Sequence, residues 1–169
     1  MILFADTNLF LYAANPQSPH HAQAQRFFTE HASGNTRFLL CGLVLVEISM
    51  QLRNPALFRI PKTAAEAAAF CAALRRNPRW EFGDDEPTVA EPLWQWAETT
   101  IAGFRTLIDA RLAFTLRHHG VTHFATANDR HFAGFGFEKV WSPLEWAHDR
   151  AVPFGELPVT NRPESVLAN

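Results

Sequence analysis

Short apolar runs alternate along the chain with longer segments whose apolar positions recur at helical spacing. The short runs predict strands over residues 2–5, 38–41, 80–82, 121–125 and 138–141. The longer segments predict helices over residues 9–14, 19–31, 43–53, 64–76, 92–99 and 106–119. Because strands and helices alternate, we expect an α/β fold, a three-layer α/β/α sandwich with a mostly parallel central sheet.

Cap and turn signals set several boundaries of these elements. Asn8 is placed to cap the first helix, the acidic segment 83–87 predicts a turn, and Gly120 ends the helix over 106–119. The segment 149–169 is proline-containing and poor in apolar residues. We therefore expect one domain over residues 1–148, followed by a loosely held C-terminal tail.

Composition narrows the class of protein without identifying it. The chain has 169 residues, of which 47% are hydrophobic and 19% charged, and no apolar stretch approaches the roughly 20 residues that span a bilayer. With no signal-peptide pattern either, we expect a cytoplasmic protein that does not contact membranes. The net charge of −2 argues against binding nucleic acid through overall charge, but it allows local basic patches.

Two aspartates follow predicted strands closely. Asp6 comes directly after the strand 2–5, and Asp129 follows the strand 121–125, with Asn128 beside it. Ligands of parallel sheets bind beyond the carboxyl ends of the strands, so both acids point towards a site. The structural alternatives are a helix-capping role for Asp6 and a capping pattern formed by Thr126 and Asp129.

Two further acids lie on apolar faces of predicted helices. The neighbours of Glu47 three and four positions away are mainly apolar, and so is the helix face that continues from Asp109. Burying a carboxylate is costly unless it is paired or bound to a metal ion. The alternatives are an inward ion pair between Glu47 and an arginine such as Arg53, and a capping box from Thr106 to Asp109 in the first helical turn.

Four converging carboxylates would repel one another and need a counter-charge. The histidines and cysteines of the chain do not form a ligand set. A hard cation bound through oxygen and water, Mg²⁺ or Mn²⁺, is therefore the expected partner. Such a site can activate water and stabilise an in-line displacement at phosphorus.

In the order and spacing of these residues the chain resembles PIN-domain ribonucleases, specifically the VapC-type toxins of bacterial toxin–antitoxin pairs. The resemblance spans roughly residues 2–147 and includes the close of one VapC subgroup at residues 134–144. The family motifs are matched by Asp6-Thr7-Asn8, by Glu47, by Asp109, and by Thr126, Asn128, Asp129 and Phe132.

The resemblance implies an Mg²⁺- or Mn²⁺-dependent endoribonuclease toxin that cleaves structured RNA, such as transfer or ribosomal RNA. It also implies a VapB-like antitoxin that lays a peptide with an inserted arginine across the acidic groove, and it implies a homodimer. The implied catalytic acids are Asp6, Glu47, Asp109 and Asp129, with Asp6, Asp109 and Asp129 as metal ligands. Thr7, Asn8, Thr126 and Asn128 would support them, and Arg75, Arg76, Arg79, Arg130 and His131 are candidate RNA contacts.

Two other classes of function start from the same residues. A haloacid-dehalogenase-like phosphatase also places an aspartate after its first strand, but it needs a second aspartate where this chain has Asn8. A receiver-like binding module needs a lysine near its last strand, for which Lys139 is a distant candidate. A catalytically silent PIN-like module would have lost some of the acids that this chain retains.

Overall fold

The computed structural model describes residues 1–32, 34–84, 86–100 and 103–144. The predicted tail over 149–169 and its boundary at residue 148 lie outside this part of the chain.

Five parallel strands form the central sheet of the described chain, in the order β3-β2-β1-β4-β5. At its centre, Phe4 of β1 is in register with Leu39 of β2 and with Phe124 of β4. All five predicted strands are confirmed, as is the parallel sheet. The strands are β1 (Ile2–Ala5), β2 (Arg37–Leu40), β3 (Trp80–Phe82), β4 (His123–Ala125) and β5 (Lys139–Trp141).

Seven helices of the described chain pack around this sheet and complete the predicted three-layer α/β/α sandwich. The first helix contacts the second and third, the third contacts the fourth, and the fifth contacts the sixth. No helix in this part of the chain is both long enough and apolar enough to cross a bilayer. The helices are α1 (Thr7–Ala14), α2 (His21–Ala32), α3 (Gly42–Leu52), α4 (Ala64–Arg76), α5 (Pro87–Thr99), α6 (Phe104–His118) and α7 (Asp129–Phe132).

The core lies where the central strands meet the helices. Leu3, Phe4 and Ala5 of β1 are fully buried, as expected for a strand covered on both faces. The ring of Phe4 packs edge-on against Phe124 with centroids 4.8 Å apart, and Phe124 continues the stack to Phe132 at 4.3 Å. This packing fixes the ends of β1 and β4, where the candidate site begins.

Three helices, α1, α5 and α6, start two or more residues earlier than predicted. Asp6, not Asn8, is the N-cap of α1, since its side chain accepts a hydrogen bond from the Thr7 N–H. The helix α5 begins at Pro87, inside the segment predicted as a turn, because proline is well suited to a first helical position. Gly103 caps α6, so Asp109 lies beyond the first turn and the capping-box alternative is wrong.

Candidate functional site

The carboxylate of Asp6 lies at the carboxyl edge of the sheet, between β1 and α1. Its Oδ1 accepts a hydrogen bond from the Thr7 N–H at 2.7 Å. Its Oδ2 accepts two more, from the amide of Asn8 at 2.7 Å and from the hydroxyl of Thr126 at 2.6 Å. Because three donors fix both oxygens, the carboxylate has a defined orientation.

Thr126 and Asn8 join the ends of the two central strands. The Asn8 amide also reaches Thr126 Oγ1 at 3.2 Å, while Asn8 Oδ1 accepts from the Ala127 N–H at 3.2 Å. Thr126 Oγ1 further accepts from the Asn128 N–H at 3.0 Å. Thr126 therefore donates to Asp6 and accepts from the turn that follows β4. The alternative cap between Thr126 and Asp129 does not form, since Asn128 is the N-cap of α7.

Glu47 lies on α3, and its side chain contacts the start of α1. Its Oε2 accepts a hydrogen bond from the Thr7 hydroxyl at 2.6 Å. The residue is exposed, which corrects the expectation that it faces the core. Val44 and Ile48 are the buried residues beside it on α3, so Glu47 lies at the border of the buried face.

Asp109 on α6 is the third acid at this edge and lies beside a histidine. Its Oδ2 is 3.5 Å from Nδ1 of His131, and the two side chains are 30% and 64% exposed, respectively. Partial burial raises the pKa of Asp109, while His131 and Arg105 act in the opposite direction. His131 thus lies at the candidate site as predicted, but against an acid.

The electrostatics of Asp6 show that these acids act on one another. The pKa of Asp6 is raised from 3.8 to about 6, mainly by burial and also by the negative charges of Glu47 and Asp109. The hydrogen bonds from Thr126 and Thr7 act against this rise. The protein therefore holds a carboxylate in a place where its charge is costly, which is typical of functional sites.

Asp129 begins the short helix α7 after β4. Its Oδ1 accepts a hydrogen bond from the Arg130 N–H at 2.9 Å. The preceding Asn128 is the N-cap of α7 without a side-chain cap bond. Among the described residues, no hydrogen bond joins Asp129 to the other three acids. Its assignment to the site remains a prediction.

The predicted basic group at the end of α4 is not confined to one edge of the sheet. Residues 77–79 lead from α4 into the amino end of β3, opposite the carboxyl edge that carries the acids. Arg79 donates to the Gly34 carbonyl oxygen at 3.1 Å, and the Arg75 guanidinium lies 4.9 Å from the Phe82 ring centroid. Arg79 therefore lies at the amino edge of the sheet, whereas Arg75 reaches the last residue of β3. Contact of Arg75, Arg76 and Arg79 with RNA remains a prediction.

The donor set of the acidic edge suits a hard cation. In the described chain, three histidine, cysteine or acidic side chains nowhere converge closely enough to enclose a metal ion by themselves. Mg²⁺ commonly binds through one or two carboxylates and keeps several waters, so Asp6 and Asp109 fit that mode. The raised pKa of Asp6 supports a cation site, because a nearby cation would stabilise the charged carboxylate.

The positions of Asn8 and Lys139 do not support the phosphatase and receiver-like alternatives. Asn8 holds Asp6 Oδ2 through its amide N–H, so it cannot act as the second acid of a haloacid-dehalogenase-like phosphatase. Lys139 lies on the edge strand β5 with its ammonium 4.8 Å from the Trp141 ring centroid. This position gives no support to a receiver-like module centred on Asp6.

A cavity of about 250 Å³ lies beside the acids, between the start of α3 and α6, and sequence reasoning did not predict it. Asp84 lines the cavity, and its Oδ1 accepts a hydrogen bond from the Gly42 N–H at 2.6 Å. The turn-like composition of residues 83–87 was the only signal for Asp84, and it did not reveal a partner 42 residues away.

Comparison with known proteins places the chain among ribonucleases. No model of a protein family matches it. It is 45% identical over 143 residues to ribonuclease VapC24 of Mycobacterium tuberculosis, from strain CDC 1551/Oshkosh and from strain H37Rv. In each case the alignment covers 85% of this chain and 97% of the relative.

Solved structures share the fold at lower identity. VapC20 of Mycobacterium tuberculosis, a toxin that cleaves the sarcin-ricin loop, has a TM-score of 0.60 and 23% identity, covering 79% of this chain and 95% of that one. VapBC2 from Rickettsia felis, bound to a DNA fragment from its promoter, has a TM-score of 0.53 and 16% identity over 77% and 90%. FitAcB from Neisseria gonorrhoeae has a TM-score of 0.53 and 18% identity over 85% and 98%.

Proposed function

Since the chain belongs to the VapC family of ribonuclease toxins, we propose that Asp6, Glu47 and Asp109 form its active site. The substrate would be structured RNA, such as transfer or ribosomal RNA, cleaved by hydrolysis of a phosphodiester bond. The observation that carries this proposal is the carboxylate of Asp6, which three donors orient and whose pKa burial and two neighbouring acids raise to about 6.

The residues around Asp6 would keep the reacting groups in place. Thr126 and Asn8 fix Oδ2 of Asp6, so that its remaining lone pairs point in constant directions. Thr7 links the two walls of the site, because its N–H holds Asp6 and its hydroxyl holds Glu47. Glu47 is exposed and has a fixed oxygen, which suits a group that accepts a proton from the attacking water.

We further propose that Asp6 and Asp109 hold Mg²⁺ or Mn²⁺ at this edge. When bound, such an ion supplies positive charge that makes water a better nucleophile and stabilises charge on the phosphate. Asp129, with Asn128, is proposed as a fourth acid on the basis of its place after β4. Arg130 and His131, at the same end of α7, are the proposed RNA contacts nearest to these acids.

A VapB-like antitoxin is the proposed partner of this site. The structural neighbours include a VapBC assembly, and VapC proteins are the toxins of such pairs. Val46 and Met50, on either side of Glu47 along α3, are 59% and 65% exposed, which provides an apolar border beside the acids. An antitoxin peptide with apolar residues and one arginine would match both features.

We also propose a homodimer, which light scattering of the antitoxin-free protein will test.

Cleavage of total bacterial RNA by the purified, antitoxin-free protein tests the activity. We expect discrete fragments in Mg²⁺ or Mn²⁺, none in EDTA and none with Asp6→Asn. The matched control is Glu91→Gln, which removes a negative charge from the exposed face of α5 and leaves cleavage unchanged. Absence of cleavage by the wild type in both metals would overturn the proposal and favour a catalytically silent module. Equal cleavage by Asp6→Asn would overturn the assignment of Asp6 to the active site.

A further inference from the structure

The cavity beside the acids is built from the same two helices as the proposed active site. Its walls include Leu43 on α3, Leu112 on α6 and Asp84. Leu43 lies four residues before Glu47 and Leu112 three residues after Asp109. At a rise of about 1.5 Å per residue, the cavity therefore begins about 6 Å along the groove from the acids. This offset is within the reach of a single nucleotide.

The size and lining of the cavity suit a small, flat, polar molecule. Its volume of about 250 Å³ is just below the range of pockets that hold drug-sized ligands. Leu112 provides apolar lining, and the acidic Asp84 and the basic Arg111 line the same cavity. A nucleobase has apolar faces and a polar edge, so it matches this combination.

Asp84 is held in a fixed position at the wall of the cavity. Its Oδ1 accepts from the Gly42 N–H at 2.6 Å, and its carbonyl oxygen accepts from Nε2 of His119 at 2.8 Å. A side chain at position 42 would place its Cβ 2.7 Å from Asp84 Oδ1, and one at position 83 would lie 2.7 Å from the His119 ring. Both glycines thus allow the approach that orients the carboxylate.

We propose that this cavity binds the base of the nucleotide next to the cleaved bond, and that this base is guanine. Guanine offers N–H donors on its Watson–Crick edge, which a carboxylate accepts, and O6 and N7 acceptors, which a guanidinium prefers. Asp84 and Arg111 both line this cavity. The inference rests on the proposed ribonuclease function and extends it to base specificity.

Mapping the ends of the RNA fragments gives the first test. With wild-type protein we expect guanine on one fixed side of the cleaved bonds. Asp84→Asn should lose this preference, because its Nδ2 replaces an acceptor by a donor, while its Oδ1 can still accept from Gly42 N–H. Glu91→Gln is the matched control and should keep the wild-type pattern. Cleavage by wild type without any base preference would overturn the inference and leave the proposed function standing.

Binding of mononucleotides tests the cavity without catalysis. In EDTA and in the Asp6→Asn background, a methyl NMR titration should show that GMP binds about tenfold more tightly than AMP, CMP or UMP. The shifts should centre on Leu43 and Leu112, and adding Asp84→Asn should reduce the difference to about twofold or less. Equal binding of all four nucleotides, or shifts remote from these leucines, would contradict the inference even if RNA is cleaved. If RNA is not cleaved but GMP is selected, the site stands and the proposed function fails.

Discussion

The burial of Asp6 makes the stability of the folded protein depend on pH. Its pKa rises from 3.8 to about 6 on folding, so the folded state binds the proton more tightly than the unfolded state. The stabilising effect is fully present below pH 3.8 and is lost as the pH rises through about 6. At about 1.4 kcal/mol per pKa unit, the free energy of unfolding should fall by about 3 kcal/mol from this group.

Urea denaturation in EDTA between pH 4 and pH 7 measures this effect. Asp6→Asn carries no titrating group at this position, so its stability should fall less over the same range. The difference between the two curves isolates Asp6 from the other carboxylates, which are common to both proteins. Parallel curves would show that Asp6 has an ordinary pKa and would remove the electrostatic basis of the site.

Glu47 shows that the spacing of apolar residues does not by itself tell which face of a helix is buried. Glu47 lies among apolar neighbours in the sequence, and that spacing predicted an inward carboxylate. The structure leaves the residue exposed, with Met50 on the same side 65% exposed. An exposed methionine on a helix gives the same pattern as a buried one, so the sequence alone does not tell the two faces apart.

At the scale of elements, the start of α3 depends on Asp84, which lies in the connection between β3 and α5. Cys41 is the N-cap of α3 and makes no side-chain cap bond, whereas Asp84 accepts from the Gly42 N–H. Asp84→Ala should therefore lower the free energy of unfolding by about 1 kcal/mol, and Asp84→Asn should change it little. Hydrogen exchange should show faster exchange of the Gly42 amide in the alanine variant only. Unchanged exchange there would mean that solvent or another group caps α3.

Element boundaries were predictable where the signal was local. The range of α4 and that of β3 match the prediction, because the capping pair Thr63 and Glu66 begins α4 and a short apolar run defines β3. The start of α6 was missed because Gly103 caps it without a side chain. The start of α5 was missed because Pro87 was interpreted as part of a turn, although proline also favours a helix start.

At the scale of the whole molecule, the alternation of strands and helices predicted where Asp6 lies, but not how Glu47 and Asp109 come to lie near it. A parallel sheet brings strand ends to one edge, and the sequence located Asp6 at such an end. The cavity could not be predicted from the sequence, because Asp84 and Gly42 are brought together only by tertiary packing. The base-binding inference therefore depends on the structure, while the position of Asp6 at a strand end was accessible from the sequence.

Metal binding to the acidic edge should stabilise the entire fold. At pH 7.5 and at about 100 times its Kd, Mg²⁺ or Mn²⁺ should raise the free energy of unfolding by about 2.7 kcal/mol. Thermal unfolding with and without EDTA measures the shift, which Asp6→Asn and Asp109→Asn should each diminish. The Glu91→Gln control should retain it. An equal shift in the doubly substituted protein would place the bound ion elsewhere.

The order of the strands also governs when the protein becomes active during its synthesis. Thr126 and Asp6, which join β4 to β1 at the centre of the sheet, are 120 residues apart. At about 5–20 residues per second, roughly 6 to 24 seconds of translation separate the two. A nascent chain without β4 lacks the neighbour of its central strand and the hydroxyl that orients Asp6. We therefore expect a nascent chain to gain ribonuclease activity only after β4 has emerged.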